Sequence, residues 1–368
     1  MRAIDYWFSH ISGQSNVGEV FQAVATELPP LASLILDRSC QFQCQHCIFQ
    51  KEPISRGLLE INAVLHVLKQ LPNPKVIHEG RQFTPRQLPL LEAVSCAGYP
   101  IGTIESGTYT KHLDGILKSK LRFNWMDVSV DGPKQIHNLQ RNSKRSWDVA
   151  IEGIKQARRV LTHDGKVTSL MTLTSLNCGY VSETAEELFN QDVDEWHLTT
   201  LSVRNGIEKL KASLKQVETA LCQITKISKT HKNIFLRIYN LEDMRSLISI
   251  FGKKAFSTLL KNAKVTQNAL VLDIGFPLFF YPASIAPGET LVIDADGWWR
   301  LPYCIKYALK ELELGCDLNG QSISVYNVTK ISEQTRVDEM FKQVVSNWRK
   351  YCGEKQLFQE QELFQNLI

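Results

Sequence analysis

The sequence predicts an α/β fold in which parallel strands are joined by crossover helices. Two observations carry this reading. Short apolar runs alternate with segments of helical apolar spacing, six times in succession between residues 31 and 205. Three cysteines also crowd into the loop after the first of those runs, at the strand end where such folds bind ligands.

Each unit has its own signals. The first strand is Leu34 to Leu36, entered after Pro29-Pro30 and followed by the cysteine loop. Leu58, Ile61, Val64, Leu65 and Leu68 space a helix that stops before Pro72. Val76-Ile77 is a second strand, and 85–97 a second helix closed by Gly98 and Pro100. Ile101 to Ile104 and Trp125 to Val130 are the next strands, with a helix over 110–119 between them and an Asp131-Gly132-Pro133 turn after them. Ala150, Ile151, Ile154, Ala157 and Val160 line one side of a helix over 147–161. A fifth strand over 167–173, a helix over 181–189 and a sixth strand over 196–201 complete the series. Residues 207–265 read as helices with one possible strand at Ile234 to Ile238. Thr290 to Leu301 reads as a hairpin about Asp296-Gly297, and Val337 to Lys350 as a final helix.

The composition excludes several classes. Apolar residues make up 43% and charged residues 22%, which is ordinary for a soluble globular chain. The net charge of +4 comes without a basic stripe, so no nucleic-acid partner is expected. No apolar run is long enough to span a membrane, and the N-terminus lacks the pattern of a secretory signal. A cytoplasmic, reducing setting is therefore expected, where the nine cysteines are ligands or catalysts more often than disulfides.

The stretch that matters most is Cys40-Gln41-Phe42-Gln43-Cys44-Gln45-His46-Cys47. Three thiolates in eight residues are soft metal ligands. A zinc site would need a fourth ligand, from His46 or from a distant residue. A cubane iron–sulfur cluster held by three thiolates keeps one iron open for another molecule.

On these residues the loop resembles the signature of the radical S-adenosylmethionine (radical SAM) superfamily. The resemblance implies a partial (β/α)6, TIM-like barrel, a [4Fe-4S] cluster on Cys40, Cys44 and Cys47, and SAM chelated to the open iron. It implies reductive cleavage of SAM and hydrogen abstraction from a substrate by a 5′-deoxyadenosyl radical, with a flavodoxin or ferredoxin as electron donor. His46 occupies the position that lies near adenine. The end of the second strand, His78-Glu79-Gly80-Arg81, stands where the family has Gly-Gly-Glu, so Glu79 and Gly80 are expected at the SAM amine; Arg81 departs from the usual acidic residue. Glu105-Ser106-Gly107 replaces Thr-Asn-Gly at the third strand. Val128-Ser129-Val130-Asp131-Gly132-Pro133, His137 and Arg141 resemble the corresponding stretch of the SPASM and twitch branch, which includes anaerobic sulfatase-maturing enzymes. That implies Ser129 at the SAM ribose and Arg141 at its carboxylate, because a guanidinium offers a carboxylate a planar pair of donors. Asp131 serves either the turn or the ligand, and so does Asn177 after the fifth strand.

The C-terminal third resembles the branch's auxiliary domain more loosely. Cys304, Cys316 and Cys352 are candidate ligands of one auxiliary [4Fe-4S] cluster, or small apolar residues of a domain without iron. Cys96, Cys178 and Cys222 read as structural. The expected organisation is a lead-in over 1–30, the barrel core over 31–205, a helical connection over 206–284 and a small twitch/SPASM-like α+β domain over 285–368. The expected substrate is a peptide or protein side chain. A small molecule such as a nucleotide or aminosugar is the alternative, which a lead-in too short for leader-peptide recognition favours. A non-catalytic metal-binding protein is the reading from another class. The resemblance names no catalytic side chain.

Overall fold

The structure is a computed structural model. It describes residues 31–36, 40–47, 59–79, 83–201, 207–239, 241–265, 270–281, 290–294, 298–300, 324–327, 336 and 338–339. The lead-in, Gly80 and Arg81, the Asp296-Gly297 turn, Cys304, Cys316 and Cys352, and nearly all of the expected final helix lie outside these residues.

Six strands run parallel and side by side in chain order: β1 (Leu31–Ile35), β2 (Lys75–Glu79), β3 (Ile101–Glu105), β4 (Phe123–Ser129), β5 (Leu161–Leu173) and β6 (Glu195–Thr200). The helices between them are α1 (Ile61–Gln70), α2 (Leu88–Cys96), α3 (Leu113–Lys118), α4 (Lys134–Gln140), α5 (Ser146–Ala157) and α6 (Val181–Phe189). This is the alternation expected from the sequence, with one addition. The short helix α4 fills the stretch between the Asp-Gly-Pro turn and Arg141, where Pro133 opens it as helices often begin.

The sheet continues on both sides. Strand β7 (Ile234–Ile238) pairs parallel with β6, after α7 (Leu214–Ile227), which Ser213 and Gln216 start with a capping box. Helices α8 (Leu241–Phe251) and α9 (Lys253–Lys261) follow. The reading of 207–265 as helices with a strand at Ile234 to Ile238 is corrected at its end by β8 (Lys264–Val265), which pairs antiparallel with β9 (Leu270–Asp273). Strand β10 (Pro277–Phe280) turns back on β9 through Gly275 and pairs parallel with β7. On the other side β11 (Thr290–Asp294) pairs parallel with β1, and β12 (Trp298–Arg300) and β13 (Ser324–Asn327) pair antiparallel beyond it. Among the described residues one 13-stranded sheet results, with β13 and β8 at its two ends. From β11 through β1 to β7 and on to β10 the strands are parallel, as those of a partial barrel are.

The two faces of the sheet differ. Ala32, Leu34, Val76, Met126, Val128, Val167, Met171, Leu198 and Leu236 alternate along their strands and build the buried core. The opposite, inner face is polar and aromatic: Ser33, Glu79, Trp125, Asp127, Ser129, Thr168, His197, Arg237 and Tyr239 follow the same alternation, one residue out of step. The Trp125 ring lies over β3, where a Cβ on Gly102 would fall 1.8 Å from it.

Candidate functional site

The cysteine loop leaves the carboxyl end of β1 and is tied down by its polar residues. Gln45 donates its backbone N–H to the Gln140 carbonyl (2.8 Å) and its side-chain amide to the Leu139 carbonyl (2.8 Å). Those carbonyls end α4, so the loop sits on that helix's C-terminal turn. Lys111 donates to Gln41 Oε1 at 2.6 Å. Within the loop, Cys47 N–H donates to the Cys44 carbonyl at 3.1 Å. Cys44 points inward and is buried, Cys47 is half-exposed and Cys40 exposed.

The three thiols share one electrostatic environment. Burial pushes Cys44 up to about 11; Arg141 opposes this, while Asp131, Cys47 and Cys40 add to it. Arg141 in turn is held protonated by Asp131, Cys44 and Cys40 against its burial. A guanidinium beside clustered thiols favours their ionised, ligating form. Among the described residues no three His, Cys, Asp or Glu side chains close around a single-ion point. A cubane cluster offers each thiolate its own iron, and three thiols in one loop fit that demand.

Asp131 is the hub beneath the loop. It is fully buried; its Oδ2 accepts from Arg141 Nε at 2.7 Å and lies 3.6 Å from His46 Nε2, and its Oδ1 accepts from Thr172 N–H at 3.0 Å. Burial alone would raise this carboxyl, but Arg141, His46, His137 and the Thr172 N–H hold it down at about 2. Its backbone N–H donates to His137 Nδ1 at 3.0 Å, so the His137 proton is on Nε2. Burial, then Arg141, push His137 down to about 3 and keep it neutral. Gly132 makes the turn between them at φ 145°, a conformation that side chains rarely adopt.

Asn177 joins the same hub. Its Nδ2 donates to the Asp131 carbonyl (3.0 Å) and the Thr172 carbonyl (2.8 Å), and its Oδ1 accepts from Thr174 N–H (2.7 Å). These bonds staple the ends of β4 and β5 together, which is the turn reading of Asn177. Asn138, one residue past His137, accepts from Ser146 Oγ and Trp147 N–H, both at 2.9 Å, and so caps the start of α5.

The structure thus brings Cys44, His46, Asp131 and Arg141 together. The His46 ring faces inward onto Asp131, and burial lowers its pKa. Ser129 stands at the end of β4 on the inner face. Glu79 ends β2 on the same face; burial raises it and Ser33 lowers it. Glu105, a departure from the family pattern, has a structural role. Its carboxylate accepts from Phe83 N–H (2.6 Å), Ser106 N–H (2.9 Å), Thr108 N–H (2.9 Å) and Thr108 Oγ1 (2.9 Å), pinning the chain after β2 to the end of β3. Of the cysteines read as structural, Cys178 is buried, while Cys96 and Cys222 are exposed.

Sequence reasoning missed Gln140, Thr172 and Thr174. Thr174 Oγ1 donates to Gln140 Oε1 at 2.7 Å and links the loop's seat to β5. It also missed the inner-face residues Asp127, His197 and Arg237. Strand alternation could have found Asp127, which stands two residues before Ser129 and so shares its face.

No protein-family model matches the sequence, and no curated protein does. Solved structures do match the fold. Streptococcus suis SuiB bound to precursor peptide SuiA has a TM-score of 0.60 at 12% identity, over 94% of this chain and 76% of that one. SuiB bound to S-adenosylmethionine has a TM-score of 0.57 at 13% identity, over 83% of this chain and 64% of that one, so this chain spans less than two thirds of that SuiB chain. Native anSMEcpe with bound AdoMet and Kp18Cys peptide has a TM-score of 0.52 at 15% identity, over 85% of this chain and 83% of that one. The fold is that of the radical SAM enzymes. In this radical SAM fold the cysteine loop, Ser129, Asp131 and Glu79 all lie at the carboxyl ends of parallel strands, the ligand-binding end of such sheets.

Proposed function

We propose that the chain is a radical SAM enzyme that acts on a peptide or protein side chain. One observation carries the reading: a CxxxCxxC loop at the end of β1 is seated on α4 with the Arg141 guanidinium beside its thiols. Cys40, Cys44 and Cys47 would hold a [4Fe-4S] cluster, which when bound supplies one electron and an open iron for SAM. Arg141, held by Asp131 through Nε, would have its remaining donors for the SAM carboxylate. Ser129, Glu79 and Gly80 would contact the ribose and amine, and His46 would border the adenine. The electron donor would be a flavodoxin or ferredoxin, and Cys304, Cys316 and Cys352 would serve one auxiliary cluster. SuiB and anSMEcpe have been solved with peptides bound, which supports the peptide over a small molecule.

Anaerobic reconstitution with iron and sulfide, reduction with dithionite and chromatography of the products test this. The expected result is a brown protein that forms 5′-deoxyadenosine from SAM, and that loses this activity in C44A. A colourless protein that leaves SAM intact would sink the reading.

A further inference from the structure

The inner face of the sheet carries a second polar cluster, deeper than the strand ends. Asp127 lies two residues before Ser129 on β4, about 6.6 Å further down the strand. Register places Thr168 beside Asp127, Phe235 beside His197, and Phe279 beside Arg237. Arg237 Nη2 donates to His197 Nδ1 at 2.7 Å. The His197 proton is then on Nε2, which faces Glu195 Oε2 at 3.2 Å. Glu195 is also taken up by Lys166, and Asp127 accepts from the Thr168 hydroxyl.

These bonds leave Arg237 in an unusual position. Both nearby acids are engaged by other groups. Among the described residues, no carboxylate lies within ion-pair distance of its guanidinium. Its hydrogen-bond partners are His197 and Tyr239, and Asp127 acts on it only at longer range. Even a half-buried arginine is usually paired with an anion, because burying part of an uncompensated charge is costly. Arg237 is half-buried, so part of its side chain remains open to a ligand. Its flank is aromatic: Tyr239 and Tyr281 stack at 4.9 Å and 15°, and Phe279 lies 6.5 Å from Tyr281 at 19°.

We propose that Arg237, with the stacked Tyr239 and Tyr281, forms a subsite on the inner face for a carboxylate borne next to an aromatic or apolar group. A monoanion fits better than a phosphate dianion, because Arg237 brings a single positive charge to the subsite. That this group belongs to the substrate rests on the function proposed above. An acidic side chain or a C-terminal carboxylate of a peptide has this chemistry.

Calorimetric titration of the full-length chain tests it with three probes: N-acetyl-L-phenylalanine, its uncharged amide and phenyl phosphate. The acid is expected to bind at least about tenfold tighter than the amide. R237Q should bring the acid down to the amide's affinity, R237K should keep part of the preference, and R245Q, on the exposed side of α8, should leave it intact. Equal binding of acid and amide, tighter binding of phenyl phosphate, no saturable binding of the acid, or a preference that survives R237Q would overturn the proposal. The unaltered protein's 5′-deoxyadenosine assay separates the two claims. SAM cleavage without an acid preference removes only this subsite. An acid preference without SAM cleavage removes only the radical SAM reading.

Discussion

Arg141 and Asp131 form an ion pair of 2.7 Å, withdrawn from water beneath the cysteine loop. Removing one partner leaves the other charge buried and unpaired, which typically costs about 3–5 kcal/mol. R141Q and D131N should each lower the unfolding free energy by roughly that order in urea titrations. The double variant R141Q/D131N should lose less than the sum, because each single change strands a partner that the other removes. Single effects below about 1 kcal/mol would show that the pair is not the hub described here.

Acid should unfold the protein through His137 and Asp131. His137 is depressed from 6.5 to about 3 and Asp131 from 3.8 to about 2. In both cases the unfolded chain takes up protons before the folded one, so stability rises with pH across the interval. The contribution of His137 is complete above pH 6.5 and drains away as pH falls toward 3; that of Asp131 is complete above 3.8 and drains toward 2. The slope from His137 alone approaches about 1.4 kcal/mol per pH unit. H137N should flatten the dependence of unfolding free energy on pH between 6.5 and 3. An unchanged slope in that variant would place the titration elsewhere.

The strand–helix order was legible because the core-facing residues of β1 to β6 are apolar and the helices between them carry periodic apolar faces. Val76 and Ile77 announce β2 and Ala150 to Ala157 announce α5 without help from the rest of the chain. Strands β8 to β10 were not legible for the opposite reason. Lys264–Val265 is too short to show a period, and Leu270–Asp273 gains its strand character from pairing with β10. At the site, the cysteines were visible as a spacing and Arg141 as part of a pattern. The roles of Asp131 and Glu105 were not, because each is defined by partners 10 and 22 residues away, Arg141 and Phe83 N, and Asn177 was legible only as a turn residue and not as a staple to the Asp131 carbonyl 46 residues away.

Glu105 predicts a defect on another link of the chain. It is a buried acceptor for three backbone N–H groups and one hydroxyl. E105A removes all of these acceptors and should cost more than the roughly 1–3 kcal/mol of one buried unsatisfied group. Hydrogen exchange should speed up most at Phe83, Ser106 and Thr108, and the strand ends at β2 should lose order with them. Exchange that is unchanged at Phe83 would remove Glu105 from this role.

Two glycines separate steric from conformational cost. A Cβ on Gly153 in α5 would fall 2.5 Å from the Gly107 Cα, a backbone atom that cannot turn aside. Gly98 has a positive φ of 86° but nothing within 4 Å of the added carbon. G153A should therefore lose stability by overpacking, about 1–3 kcal/mol or more. G98A should lose only about 1 kcal/mol, from strained backbone. Thermal melts of the two variants should rank in that order, and equal losses would contradict the close approach of α5 to the end of β3.

The cysteine loop predicts how iron should partition. Cys40 is exposed and Cys47 half-exposed, so alanine at these positions removes thiols without opening the core, and only Cys44 carries a packing cost. The loop's seat on α4 is made by Gln45, which the substitutions leave in place. C40A/C44A/C47A should therefore stay folded and, after reconstitution, hold about four fewer irons per chain than the unaltered protein. If Cys304, Cys316 and Cys352 carry an auxiliary cluster, the triple variant should keep about four irons and a cluster absorbance band, and adding C316A should abolish both. A triple variant with no iron leaves the loop as the chain's cluster site and assigns those three cysteines to packing. A triple variant with its full iron content would refute the loop as a ligand set, whatever the fold around it.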